Sequence, residues 1–151
     1  MVQWGPGKRG YTVVELALVI VIISALAGIT YVRMAPGLER TRVRGAASTM
    51  AGDLQYAQVL AARLRTPMRI SVNTTGLSYQ IADRSGANVY RSRNLGAAGD
   101  YRLDELAASP VTLDVFPNAV TAQSATYTLG LNGFRRLVTF SRAGQIRVAA
   151  P

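Results

Sequence analysis

The sequence predicts an α+β fold in which a long N-terminal helix packs on a C-terminal antiparallel β domain. Three observations predict it. From Leu16 to Val32 the chain carries no charge and almost no polarity. Apolar residues then recur at spacings of three and four as far as Leu64. From Pro67 onward the period changes to two and turn residues multiply. These shifts divide the chain into a short leader at 1–10, an apolar helix at 11–33, an amphipathic continuation at 34–66 and a β-rich domain at 67–151.

The apolar run is long enough for a membrane-spanning helix, which needs roughly 20 residues. Glu15 stands alone at its edge, where a carboxylate is costly and calls for a partner. Lys8 and Arg9 precede the run, so the N-terminus is expected in the cytoplasm and the rest of the chain exported. Ala35-Pro36-Gly37 predicts a kink or local melt in the helix. Beyond it Val43, Ala47, Met50, Leu54, Ala57, Ala61 and Leu64 form one apolar face, ending at Thr66-Pro67. The small residues Gly45, Ala46, Ala51 and Gly52 allow a close approach, by the domain's own sheet or a neighbour's helix. Asp53 and Arg63 lie too far apart to pair along the helix, so each is expected to meet a loop or a neighbouring subunit. Arg40, Arg42 and Arg44 cluster just past the apolar run, where headgroups, acidic partners or water are the alternatives.

Seven segments then read as strands: 68–72, 78–82, 88–93, 111–116, 124–129, 136–141 and 145–149. Residues 101–108 read equally as strand or short helix, and Gly96–Gly99 as a flexible loop. Asn73–Gly76, Asn132-Gly133 and Arg142-Ala143-Gly144 supply turns.

The 151 residues include no cysteine and no histidine, which excludes disulfides, thiolate metal sites and imidazole catalysis. Asp83, Asp100, Asp104, Glu105 and Asp114 are scattered among turns without the spacing of an acid–base pair or a calcium loop. No enzyme and no cofactor are expected. The net charge of +9 is carried almost wholly by arginine, Lys8 being the only lysine. Arginine favours bidentate contact with phosphate or carboxylate, so nucleic acid, an anionic membrane and acidic subunits are the candidate partners.

Gly10 followed by Tyr11-Thr12-Val13-Val14-Glu15-Leu16 resembles the signal of type IV pilins and type II secretion pseudopilins. The resemblance implies cleavage by a prepilin peptidase between Gly10 and Tyr11, so that 1–10 is a prepilin leader. It also implies N-methylation of Tyr11, a Tyr where the family usually has Phe, and a retained carboxylate at Glu15. In an assembled filament Glu15 would pair with the free amine of a neighbouring subunit. The stretch from Arg44 through Met50-Ala51-Gly52-Asp53-Leu54-Gln55-Tyr56-Ala57 and Ala61-Ala62-Arg63-Leu64-Arg65-Thr66-Pro67 to Met68-Arg69-Ile70-Ser71-Val72 is similar to the GspH/FimT family, as is the closing Phe140–Val148. That likeness implies a pilin-like fold and a minor pseudopilin or minor pilin that helps initiate or cap a filament. The subunit would sit in the inner membrane as a single-pass protein with its β domain periplasmic or extracellular. Its partners would be other pilin or pseudopilin subunits, the peptidase and membrane lipid.

A second reading is a DNA-binding minor pilin taking part in DNA uptake. Some T-type minor pilins carry a basic Gly-Arg-x-Arg motif, to which Gly144-Gln145-Ile146-Arg147 corresponds with Gln in place of the first Arg. Arg135, Arg136, Arg142 and Arg147 are the candidate phosphate contacts. Strand alternation places Arg135 and Arg136 on opposite faces.

Overall fold

The computed structural model describes residues 11–151, without the side chains of 29–36. Gly10 and the rest of the expected leader lie outside the described residues. Helix α1 runs Val13–Leu64, and eight strands follow: β1 Met68–Asn73, β2 Ser78–Asp83, β3 Val89–Asn94, β4 Glu105–Ser109, β5 Thr112–Val115, β6 Ala125–Leu131, β7 Phe134–Phe140 and β8 Ile146–Ala149. The chain divides into two compact units between Gly37 and Leu38.

In the first unit every described side chain from Tyr11 to Gly28 is exposed. Such a helix, apolar on all sides, has no core of its own to face. Among the described residues, no helix is long and apolar enough to cross a membrane. The melt expected at Ala35-Pro36-Gly37 does not occur, since these residues are helical.

The second unit holds a helix packed on antiparallel sheets, as the sequence predicts. One sheet has the order β3-β2-β1-β5 and the other β4-β6-β7-β8. All pairings are antiparallel. A single core joins α1 to both: Val43, Ala47, Met50, Leu54, Ala57 and Ala61 pack with Met68, Ile70, Tyr79 and Ile81 of one sheet and Tyr127, Leu129, Val138 and Phe140 of the other. Leu64, expected on this face, is 42% exposed. The helix stops there, with Arg65 at φ 55°, and Leu60, Ala61 and Met68 already fill that end of the core.

Of the small helical residues, Gly45 meets Tyr101, whose ring lies 3.1 Å from where a Cβ would sit. The Tyr101 hydroxyl shares a 2.6 Å hydrogen bond with Thr49. Gly52, by contrast, faces open space. The ambiguous 101–108 resolves into a loop anchored by buried Leu103, then β4. Gly96–Gly99, expected to be a flexible loop, is a turn closed by the Gly99 N–H on the Gly96 carbonyl at 2.9 Å and held beside buried Leu95.

The helix also fixes both ends of β7 by polar contacts. At one end the Asn132 side chain donates to Glu39 at 2.6 Å. This is the tip of the β6–β7 hairpin, where Asn132 and Gly133 both have positive φ (48° and 84°), the two-residue turn that suits strand twist. At the other end Gln58 donates to the Gly144 carbonyl at 2.8 Å, in the β7–β8 turn.

Candidate functional site

At the start of α1, Thr12 caps the helix: its hydroxyl accepts the Glu15 backbone N–H at 3.2 Å. Thr12-Val13-Val14-Glu15 is therefore a capping-box sequence with Glu15 at its acidic position, a signal present in the sequence and missed there. A carboxylate in the first turn also faces the positive end of the helix dipole. Glu15 and Tyr11 are both exposed. The Glu15 carboxylate has no partner among the described residues, so it is open to one from another chain.

Asp53 behaves otherwise. Its carboxylate is buried and meets not a loop or a neighbour, as expected, but strands of its own domain. Arg91 and Arg93 of β3 both pair with it, and the Tyr79 hydroxyl of β2 donates to it at 2.7 Å. Arg91 also stacks over the Tyr56 ring, 4.2 Å from its centroid. Burial alone would push the Asp53 carboxyl up, but the hydrogen bonds from Arg93, Tyr79 and Arg91 outweigh it and hold the group below the ordinary carboxylate range. Tyr79 is pushed up, by burial first and by its bond to Asp53 second. Arg63 is exposed and makes no ion pair among the described residues.

The four arginines singled out for phosphate contact are not brought into one patch. Arg135 and Arg136 fall on opposite faces of β7, as alternation requires. Arg135 reaches across β6 to Glu105 of β4 at 2.7 Å. The register places Glu105, Gly130 and Arg135 in one row, and a Cβ at Gly130 would sit 2.7 Å from the Glu105 carboxylate. Gly130 is thus the gap through which the pair closes. Arg147 lies opposite Thr139, on the Arg135 face. Arg142 is in the β7–β8 turn, six residues and about 20 Å of strand from Arg136. Two of the scattered acids serve the fold: Glu105 holds Arg135, and Asp104 accepts the Asn132 backbone N–H at 2.7 Å.

Arg136 instead joins two helical arginines. A groove of about 290 Å³ is lined by Arg40, Val43, Arg44, Phe134, Arg135, Arg136 and Ala150. The Arg40 guanidinium lies 4.6 Å above the centre of the Phe134 ring. Among the described residues, no carboxylate lines the groove. Arg44 and Arg136 have no ion-pair partner among the described residues. The Arg40 and Arg44 cluster was legible in the sequence, whereas its meeting with β7 was not.

Comparison with known proteins bears on the fold. No family model matches the chain, and no curated protein matches it. Two solved structures do, both of the type IV minor pilin FimU of Pseudomonas aeruginosa strain PAO1. One is 24% identical with a TM-score of 0.61, covering 75% of this chain and 95% of FimU. The other, a second crystal form, is 23% identical with a TM-score of 0.58, covering 72% and 96%. The fold is that of a type IV pilin. A pilin fold accounts for a long helix laid on antiparallel strands.

Proposed function

We propose that the chain is a minor pilin or minor pseudopilin, a membrane-anchored structural subunit that helps initiate or cap a filament. The observation that carries this reading is the likeness to FimU over nearly the whole of that chain. The Gly10-Tyr11 junction and the unpartnered Glu15 agree with it. Prepilin peptidase cuts after Gly10, Tyr11 becomes the methylated N-terminus, and residues 11–33 cross the inner membrane before assembly. The described apolar stretch ends at Gly28, and the sequence continues it to Val32, giving the length a span needs. After assembly the exposed apolar surface of the first unit is covered by neighbouring helices, and Glu15 neutralises an adjacent amine in a low-dielectric setting. The sequence resemblance to the GspH/FimT family supports a minor pseudopilin of a secretion pseudopilus or a minor pilin of a type IV pilus.

Mass spectrometry of the mature N-terminus tests the reading directly: N-methylated Tyr11 is expected, and an intact Met1 in assembled material would overturn it. Glu15→Leu should insert in the membrane yet fail to enter filaments. The DNA-uptake reading has less support, because Arg135 is committed to Glu105 and Arg142 and Arg147 lie apart from Arg136. Absence of a gel shift at low salt with the full chain would end it.

A further inference from the structure

We propose that the groove between α1 and β7 binds the phosphate group of an anionic phospholipid, with Arg40, Arg44 and Arg136 as the contacting side chains. The proposal rests on the membrane-anchored reading above and names the lipid contact of that subunit.

Three features carry it. The first is charge without compensation. Every side chain lining the groove is basic or apolar. Of the nearby acids, Glu105 is neutralised by Arg135 at 2.7 Å, while Glu39 keeps its charge but is held to the Asn132 side chain at 2.6 Å and does not line the groove. An arginine cluster with no carboxylate of its own is a site for an external anion, and the planar guanidinium fork matches phosphate oxygens bidentately. The second is preorganisation. Stacking on Phe134 fixes the Arg40 guanidinium while leaving its N–H edges free, so less side-chain freedom is lost on binding. The third is the company the charges keep. Val43, Phe134 and Ala150 give the groove apolar walls, suited to the glycerol and first acyl carbons behind a headgroup. In sequence, Arg40 follows the end of the apolar run at Val32 by eight residues, so the groove begins close to where the expected span ends.

Spacing favours a lipid over nucleic acid. The groove gathers its three arginines around one place, the arrangement for a single phosphate group. The remaining unpaired arginines of the hairpin do not extend it into a track, since Arg147 is on the opposite face and Arg142 beyond the far end of β7. A backbone-reading surface needs phosphate contacts in series.

The full chain in neutral detergent micelles, titrated with dioctanoyl-phosphatidylglycerol and followed by native mass spectrometry, tests the site. Dioctanoyl-phosphatidylcholine, glycerol phosphate and a short DNA duplex are the comparison ligands. The expected result is preferential uptake of the anionic lipid, weakened at least tenfold in R40A/R44A/R136A and unchanged in R142A/R147A. R40K/R44K/R136K should retain part of it, because charge survives while the fork is lost. Circular dichroism shows whether each variant is folded. Equal uptake by wild type and R40A/R44A/R136A would overturn the proposal, as would equal affinity for glycerol phosphate, which would make the ligand a free phosphate. Tighter binding of the duplex through the same three arginines would reassign the groove to nucleic acid. Carbonate extraction of native membranes tests the anchor separately: release of the chain would sink the membrane reading whatever the lipid titration gives.

Discussion

Two sets of arginines in this molecule are built to opposite plans. Arg91 and Arg93 converge on one buried carboxylate, Asp53, which a tyrosine hydroxyl completes. Arg40, Arg44 and Arg136 converge on a groove that has no carboxylate. In the first set the acid comes from the helix and the bases from an edge strand, so the charges serve the fold by fixing β3 and β2 against α1. In the second, helix and strand both contribute positive charge, and folding brings like charges together. Folding alone does not favour that arrangement. It makes sense when something outside the domain supplies the negative charge.

The largest expected effect is therefore at Asp53. Asp53→Ala leaves two guanidiniums facing a buried void, and breaking a buried pair costs several kcal/mol. Because Arg91 and Arg93 keep about a third of their side-chain surface in water and can swing out, the loss should be about 3 kcal/mol. Urea unfolding of the full chain in mild detergent measures it. A loss under about 1 kcal/mol, the range of an exposed pair, would show that the cluster is ornament on a core held by Met50 and Leu54. The same carboxylate should shape the acid limb of stability. Its pKa in the folded chain lies below the unfolded value of 3.8, so its contribution is present above that value and is lost as pH falls through the folded one. Asp114, lowered chiefly by its bond from Arg69, acts in the same direction. The stability of D53A should fall less steeply than wild type below pH 4, with the Asp114 part of the slope remaining.

How far each set was legible in the sequence follows from the physics of the signal. The core face of α1 was readable because helical periodicity repeats a local rule, and six of its seven predicted positions are in the core. Strands were readable to within two residues for the same reason, apart from β4, where buried Leu103 and Leu106 sit in a stretch without clean alternation. Asp53 was not readable, since its partners lie 38 and 40 residues away on a strand whose pairing the sequence does not state. Two signals were nonetheless present: a carboxylate set among Met50, Leu54 and Ala57, and arginines two apart on β3 that must share a face. The groove required knowing which end of β7 meets which turn of α1. That depends on the register of hairpins closed around Asn132 and Gly144, which is tertiary information.

A smaller effect separates Arg135 from both sets. Gly130→Ala pushes a methyl group into the Glu105 side chain, at 2.7 Å from its carboxylate. Displacing that side chain should break the Arg135 pair and cost about 1 kcal/mol. Arg135→Ala loses only a half-exposed ion pair and should cost roughly 0.5 kcal/mol or less. If the two single changes and the double variant all cost the same, the strain at Gly130 is carried entirely by the lost pair. If G130A costs more even in the R135A background, the glycine also answers to packing.

The smallest stability effect is expected where the charge is most concentrated. R44A/R136A removes two guanidiniums without an ion-pair partner among the described residues, so nothing favourable within the domain is lost. The change should lie within about 0.5 kcal/mol of wild type, against about 3 kcal/mol for removing the single Asp53 charge. Salt gives the comparison a sign. Like charges gathered in the groove repel, and raising ionic strength to 0.5 M screens them, so the lipid-free wild type should gain a few tenths of a kcal/mol. R44A/R136A should gain less, because part of the repulsion is already gone. A wild-type chain that instead loses stability with salt, while R44A/R136A does not, would mean these arginines are held by attraction inside the domain, and the contrast with Asp53 would collapse.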